Sequence, residues 1–469
     1  MAECLEAAGG TKCMVVKEGA LAEIPTILTK YFIDGDKSGC SVFLAADTNT
    51  LRAAGNTVLE TLQAAGIDTA GEHIFDEHIH AEYAHVETLT NKLKEALEKS
   101  KHHNKNSDPS QSDPFVLVPL AVGSGTINDL VKRAASELGL PYFCVPTAAS
   151  VDGYTAYGAA LLYEGFKQTL SCEAPLAVAA DSAVLAAAPA YLSSSGFGDL
   201  AGKVISGSDW IIADKVFTLD GTGELAPGSA AIEKTAWTMV QNPLQNNLAQ
   251  SVTAARGDKE AVGILFEALG ISGFAMQYMK DSRAASGSEH MWSHVWEMEN
   301  LSVEGVPVTH GHKVAMGTLA ASAFTECLFK EKPPLHTNVP SWTEREAAAY
   351  RAFAGLDRAL PSVLTTIKDK FIDDQSRLIK LREGILDTWD TLRSAVFEQL
   401  PPYAELYNLL REAGCPVKPE TIGLSRERII ASSIKAQMIR KRFTVLDLAF
   451  ETGVFDSVLK RMEASNYLS

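Results

Sequence analysis

The chain has 469 residues, 46% hydrophobic and 21% charged, which is enough for two domains with sizeable cores and too long for one. Its formal charge of −16 and pI near 5.2 weigh against a nucleic-acid or anionic-membrane partner, so an anionic ligand needs cations or helix N-termini focused locally. Seven scattered cysteines without a CxxC pair read as reduced thiols of a cytoplasmic protein, and no stretch has the form of a signal peptide or an uninterrupted membrane span.

Short apolar runs alternate with helical patterns over roughly the first 190 residues, the pattern of a parallel α/β sheet. Ser41–Ala46 reads as a buried strand ending at Asp47, followed by a helix over Leu51–Gly66. His78, His80 and His85 share an acidic segment with Glu77 and Glu82 and read as a solvated face. Lys92–Lys99 reads as a helix running into an exposed polar loop, Ser100–Pro114. Phe115–Val122 is the next strand, then come a glycine turn, a helix over Asn128–Leu138 and a strand over Tyr142–Pro146. From about Ser182 the helical pattern dominates, with amphipathic stretches at Ala347–Ala359, Gln375–Gln399 and Arg426–Arg442. The expected division is therefore an α/β domain over residues 1–180 and a helical domain over 181–469. No internal repeat at solenoid periods is present.

Gly123-Ser124-Gly125-Thr126 lies between a strand and a helix. There glycines let the backbone approach a pyrophosphate, and the helix start offers N–H groups and its dipole. Asp47, at the end of the earlier strand, is placed to bind a ribose or adenine edge, and equally to cap the next helix. A polar turn, Pro146–Gly153, brings Thr147, Ser150 and Asp152 to the carboxyl end of the sheet, where α/β folds bind ligands.

The metal signal lies further along. His290 and His294 are four apart in a helical segment and project from one face. Met291 in second position rules out HExxH, and Glu289 falls on a different face. His310 and His312 flank a glycine ahead of a helical run, Lys313–Phe324. Asp199, which also reads as an N-terminal helix residue, would complete a set of two histidines and a carboxylate, leaving a position for a substrate oxygen.

Five segments, GSGTINDL from Gly123, PTAASVDGY from Pro146, GFGDLAGK from Gly196, SGSEHMWSH from Ser286 and HGHKVAMGT from His310, together resemble the sn-glycerol-1-phosphate dehydrogenase family. The likeness is to its bacterial AraM-like branch, within the superfamily of iron-containing alcohol dehydrogenase, glycerol dehydrogenase and dehydroquinate synthase. The resemblance implies a Rossmann-like N-terminal domain, an all-helical C-terminal domain and an active site in the interdomain cleft. It implies Asp199, His290 and His310 as metal ligands, with Asp152, Asp199 and His294 touching substrate. It implies Asp47, Gly123, Gly125, Thr126, Asp129, Thr147 and Ser150 as dinucleotide contacts. Ala149, Ala156 and His312 depart from the usual family residues. The implied cofactors are NAD(H) or NADP(H) and one divalent ion: zinc, nickel or iron. The implied reaction is reversible reduction of dihydroxyacetone phosphate to sn-glycerol 1-phosphate by a homo-oligomer, with a dimer as the expected form. Lys203 and Lys313 are candidates for the substrate phosphate, and each also reads as a solvated lysine. The rival readings are a dehydrogenase of an unphosphorylated polyol, a dehydroquinate-synthase-like cyclase, and a nucleotide-binding protein without catalysis.

Overall fold

The computed structural model of the chain describes residues 1–33, 40–76, 79–104, 116–163, 166–335 and 339–469. They form two compact units, Met1–Gly196 with Asn247–Asp281, and Phe197–Asn246 with Ser282–Ser469.

The first unit is built on a six-stranded parallel sheet. Its strands are β1 (Cys13–Lys17), β2 (Cys40–Asp47), β3 (Asp68–Phe75), β4 (Val116–Gly123), β5 (Phe143–Pro146) and β8 (Ala177–Asp181), in the order β1-β8-β5-β4-β2-β3. A hairpin of β6 (Ala159–Tyr163) and β7 (Phe166–Leu170) stands apart from it. Every residue of β2 is buried, which is why it reads as a continuous apolar run. Val42, Leu44, Val118, Leu120, Phe143 and Val145 share one core with Ile24, Ile27 and Leu28 of the helix Ile24–Tyr31. From β2 the chain moves outward to β3 and then returns to place β4 on the other side of β2. The carboxyl ends of β2 and β4 therefore flank a topological switch point, where open α/β sheets bind ligands.

The division differs from a single cut near residue 180. The first unit runs to Gly196 and takes back the helix Lys259–Met279, whose Leu265, Phe266, Leu269 and Phe274 are fully buried. Thr155 Oγ1 donates to the Gly270 carbonyl of that helix at 2.7 Å. The helix is long and apolar enough to cross a membrane, but it is mostly buried inside this unit, as the core helix of a globular domain is. Composition changes only once along the chain, so it gives no sign of a segment that returns.

Other boundaries also moved. The helix containing Lys92–Lys99 spans Tyr83–Asn104, so the start of the expected loop is helical, while residues 105–114 and Glu77 and His78 lie outside the described residues. Strands β1, β3, β6, β7 and β8 went unforeseen.

Among the described residues of the second unit, the regular structure is helical apart from a two-residue pairing of Ser302–Val303 with Val306–Pro307. A capping box, Ser341 with Glu344, starts a helix at Trp342 that ends at Ala352, short of the expected Ala359. The stretch 375–399 breaks at Thr388 into Gln375–Asp387 and Trp389–Gln399. The helix Arg426–Met438 stops before Arg440, so the last residues of that expected stretch are irregular backbone.

Candidate metal centre and nucleotide turn

In the first unit the glycine turn follows β4, and the helix Gly125–Glu137 starts within it behind an extended Ser124. A Cβ on Gly123 would lie 2.5 Å from the Ile127 side chain, so the turn tolerates no side chain there. The Gly123 carbonyl accepts the Thr147 amide at 3.1 Å, which ties this turn to the one after β5. Thr147 and Ser150 are buried, and Ser150 Oγ lies 3.2 Å from the Tyr154 hydroxyl.

Two expected nucleotide contacts have structural work. Asp47 Oδ1 accepts the amides of Asn49 at 2.8 Å and Thr50 at 2.9 Å, so this residue caps the helix after β2. Asp129 Oδ2 accepts the Ala160 amide at 3.2 Å, with Lys132 Nζ 3.6 Å from Oδ1. Asp152 opens a short 3₁₀ turn, Asp152–Tyr154. That turn is held by buried Lys132, whose ammonium donates to the carbonyls of Gly153, Ala156 and Gly158 at 2.6, 3.1 and 3.1 Å.

In the second unit the helices Ser288–Met298 and His310–Leu328, with the part of Ala190–Phe217 from Phe197 onward, bring the metal candidates together. Close packing needs glycine at two crossings. A Cβ on Gly198 would sit 2.5 Å from the Gly311 carbonyl oxygen, and one on Gly317 would sit 2.2 Å from that of Glu289. Gly198 thus lets Asp199 approach the start of the His310 helix. One oxygen of Asp199 and one ring nitrogen each of His290 and His310 lie within 4.8 Å of one another. Asp199 and His290 are buried, whereas His310 is partly exposed.

The orientation of the rings is set by carboxylates. His290 Nδ1 lies 2.6 Å from Glu289 Oε1, and His310 Nδ1 lies 2.8 Å from Glu297 Oε1. A carboxylate beside Nδ1 favours a proton there, which leaves each Nε2 as the atom turned toward a metal. His290 Nε2 is 3.6 Å from Asp199 Oδ1. These residues fit a divalent ion: one carboxylate and two imidazoles, each imidazole backed by a second carboxylate.

His294 is not a third member of this cluster. Its Nδ1 is 3.1 Å from Glu297 Oε2, and its Nε2 is 3.1 Å from Arg440 Nη2, which can only donate. It is therefore a neutral ring with its proton on Nδ1. Burial, then the Arg440 charge, pushes its pKa down to about 3. His310 and His294 thus share Glu297, and Lys313 Nζ lies 3.4 Å from the same carboxylate.

Burial disfavours an ionised Asp199, but the Lys203 ammonium at 2.7 Å and the imidazoles of His290 and His310 outweigh it and hold the carboxyl below its ordinary range. Burial likewise opposes charge on His290, yet its hydrogen bonds to Asp199 and Glu289 raise its pKa. A divalent ion would compete with that proton. Nearby, Asp209 is pushed up to about 7 by burial and then by the charge of Glu289.

Sequence reasoning missed Glu289, Glu297 and Arg440. Glu297 had a signal, since His290, His294 and Glu297 fall at i, i+4 and i+7 of one helix face. Glu289 was placed on a different face, but its Oε1 reaches the adjacent ring and also accepts the Gly287 amide at 2.8 Å. Lys203 and Lys313 are buried against carboxylates, in contrast to the solvated lysines of the alternative reading.

Residues 15–189 match the model of the iron-containing alcohol dehydrogenase family. The fold is shared with the glycerol dehydrogenase of Schizosaccharomyces pombe, at a TM-score of 0.54 and 15% identity over 97% of this chain and 91% of that one. It is also shared with a probable glycerol dehydrogenase of Sinorhizobium meliloti 1021, at a TM-score of 0.57 and 15% identity over 97% and 98% of the two chains. Residues 15–189 thus match a family model of iron-containing alcohol dehydrogenases, and the whole chain shares the fold of the two glycerol dehydrogenase structures. Sequence relatives narrow the match. A glycerol-1-phosphate dehydrogenase (NAD(P)+) of Bacillus velezensis is 33% identical over 312 residues, 66% of this chain and 71% of the relative. Another from Geobacillus stearothermophilus is 29% identical over 338 residues, 71% of each chain. The chain belongs to the glycerol-1-phosphate dehydrogenase family.

Proposed function

We propose that this protein catalyses the reversible reduction of dihydroxyacetone phosphate to sn-glycerol 1-phosphate, using NAD(P)H and one divalent metal ion. The observation that carries the reading is the convergence of Asp199, His290 and His310 within 4.8 Å, in a chain related to enzymes of that name. Asp199 and the Nε2 atoms of His290 and His310 are the proposed metal ligands. When bound, the ion supplies Lewis acidity for a ketone oxygen, and it can be zinc, nickel or iron because this donor set accepts each. The nicotinamide supplies the hydride.

The protein's own groups do the rest. Glu289 and Glu297 fix the ring orientations, and Lys203 keeps Asp199 ionised. His294, neutral and oriented by Glu297, is a proposed substrate contact. Gly123, Gly125 and Thr126, with Thr147 and Ser150, form the proposed dinucleotide cradle at the switch point. Asp47 and Asp129 border it in the capping and bracing positions described. Asp152 is a further proposed substrate contact. A cytoplasmic homo-oligomer, with a dimer as the expected form, belongs to the same proposal.

The test is to follow NADH and NADPH oxidation by metal-loaded protein with dihydroxyacetone phosphate and, separately, with dihydroxyacetone. The configuration of the product is then determined enzymatically. Oxidation that requires the phosphate and yields the sn-1 product is expected. Equal rates with both ketones would instead point to a general polyol dehydrogenase, and no oxidation with either would overturn the assignment.

A further inference from the structure

We propose that Arg440 is the cation that takes the phosphate of the substrate and sets selectivity for phosphorylated over unphosphorylated ketones. The proposal rests on the functional reading above and adds to it the site of phosphate recognition.

Arg440 Nη2 lies 3.1 Å from His294 Nε2, and the His294 ring centroid is 5.9 Å from that of His290 and 6.0 Å from that of His310. The guanidinium thus stands one imidazole away from the proposed ligand set, on the scale of a three-carbon substrate that holds its ketone at one end and its phosphate at the other. Its planar fork can match two phosphate oxygens by exchanging contacts with His294 and the serines, a geometry a lysine ammonium does not offer.

The two lysine candidates and the nearest helix start face carboxylates. Lys203 lies on Asp199 and Lys313 on Glu297, so both lysines balance the site's own carboxylates. The start of the helix Ser288–Met298 is also occupied, because the Gly287 amide donates to Glu289 Oε1 at 2.8 Å and the Ser288 amide to Asp209 Oδ2 at 2.6 Å. A phosphate here needs side-chain donors.

The arginine is also held in place. Residues 439–444 follow the helix Arg426–Met438 as irregular backbone, yet they are pinned at several points. Lys370 Nζ donates to the Arg440 carbonyl at 3.3 Å, and the Phe443 amide donates to the Gly228 carbonyl at 2.9 Å. Asp209 Oδ1 accepts the Val445 amide at 2.7 Å, so one buried carboxylate ties this segment to the first turn of the metal helix. Arg442 donates to the Ser286 carbonyl and, at 3.1 Å, to Ser282 Oγ. Arg440 Nη1 in turn donates to Ser286 Oγ at 3.0 Å and Ser282 Oγ at 3.4 Å. Those two hydroxyls retain their own protons for a phosphate oxygen. Such preorganisation lowers the cost of ordering a cation around the ligand.

The experiment uses metal-loaded protein and the variants Arg440→Met and Arg440→Lys, with kcat/KM measured for dihydroxyacetone phosphate and for dihydroxyacetone. Inorganic phosphate serves as a competing probe. Arg440→Met is expected to lower the preference for the phosphorylated ketone by about 10- to 100-fold, mostly through KM, the worth of a charge-assisted hydrogen bond. Inhibition by phosphate should weaken by a similar factor, with Arg440→Lys in between. A parallel fall for both ketones, with the preference and the phosphate inhibition unchanged, would mean that Arg440 only supports the fold and would overturn the proposal. Should wild-type protein reduce neither ketone, the functional reading fails. Calorimetric binding of inorganic phosphate to wild type and to Arg440→Met then decides the anion site by itself: binding lost in the variant supports it, and equal or absent binding refutes it.

Discussion

The two units build their sites from different materials. In the first, the switch-point turns are made of backbone: glycines that admit close approach, a helix start and carbonyls held by Lys132. In the second, the centre is made of side chains: three proposed ligands, with Glu289, Glu297 and Lys203 orienting or balancing them and Arg440 on the neighbouring His294. A backbone site should yield to changes in shape and resist changes in side-chain chemistry, and a side-chain site should do the opposite.

The largest effect is therefore expected in the second unit. His290→Ala or Asp199→Asn should lower kcat/KM by on the order of 1,000-fold and abolish stoichiometric metal, as read by elemental analysis of the same preparation. Next comes Glu297→Gln, which touches no proposed metal position yet frees both His310 and His294. Metal affinity should fall by about 10- to 100-fold in a chelator competition, and an unchanged affinity would argue against Glu297 as the shared brace.

In the first unit the sensitivity should reverse. Gly123→Ala drives a methyl to 2.5 Å from Ile127 and should cost about 1–3 kcal/mol of stability in urea unfolding. Thr126→Ala should alter the KM for the nucleotide by no more than about a factor of two, as a site built on main-chain groups requires. A large loss from the threonine with little from the glycine would break the comparison.

The smallest effect concerns pH. His312 is held neutral, with burial pushing its pKa down to about 4, while an unfolded histidine titrates near 6.5. Between those values the unfolded chain binds a proton that the folded chain refuses, so stability falls as pH drops through the window. His294 acts with the same sign. His312→Asn should therefore flatten the acid limb of the stability curve, by on the order of 1 kcal/mol at pH 5. An unaltered limb would show that His312 is solvated.

What was legible in the sequence follows the same divide. Strands β2, β4 and β5 and the helix after the glycine turn were apparent because each is a short, continuous pattern. The edge strand β1 was missed because its alternation is weak, with only Met14 of its five residues fully buried. Asp199, His290 and His310 stood out as residue types, but 91 and 20 positions separate them in sequence, and only the Gly198 and Gly317 crossings show how they meet. Glu289 was discounted by a helical-wheel argument that describes Cβ directions, whereas a glutamate stem is long enough to reach its neighbour's ring. Arg440 carried no sequence signal, since its importance comes from contacts with residues around 282–294, some 150 positions earlier in order-of-magnitude terms.

The most direct test combines metal content and turnover in one series. Wild-type protein would be stripped with a chelator, titrated with a single divalent ion, and assayed at each step with dihydroxyacetone phosphate and a reduced nicotinamide nucleotide, alongside His290→Ala. Activity should rise in proportion to bound ion, level off at one ion per chain, and be absent from the variant at every point. Full activity in stripped wild-type protein, or equal restoration of the variant, would contradict a centre built on Asp199, His290 and His310.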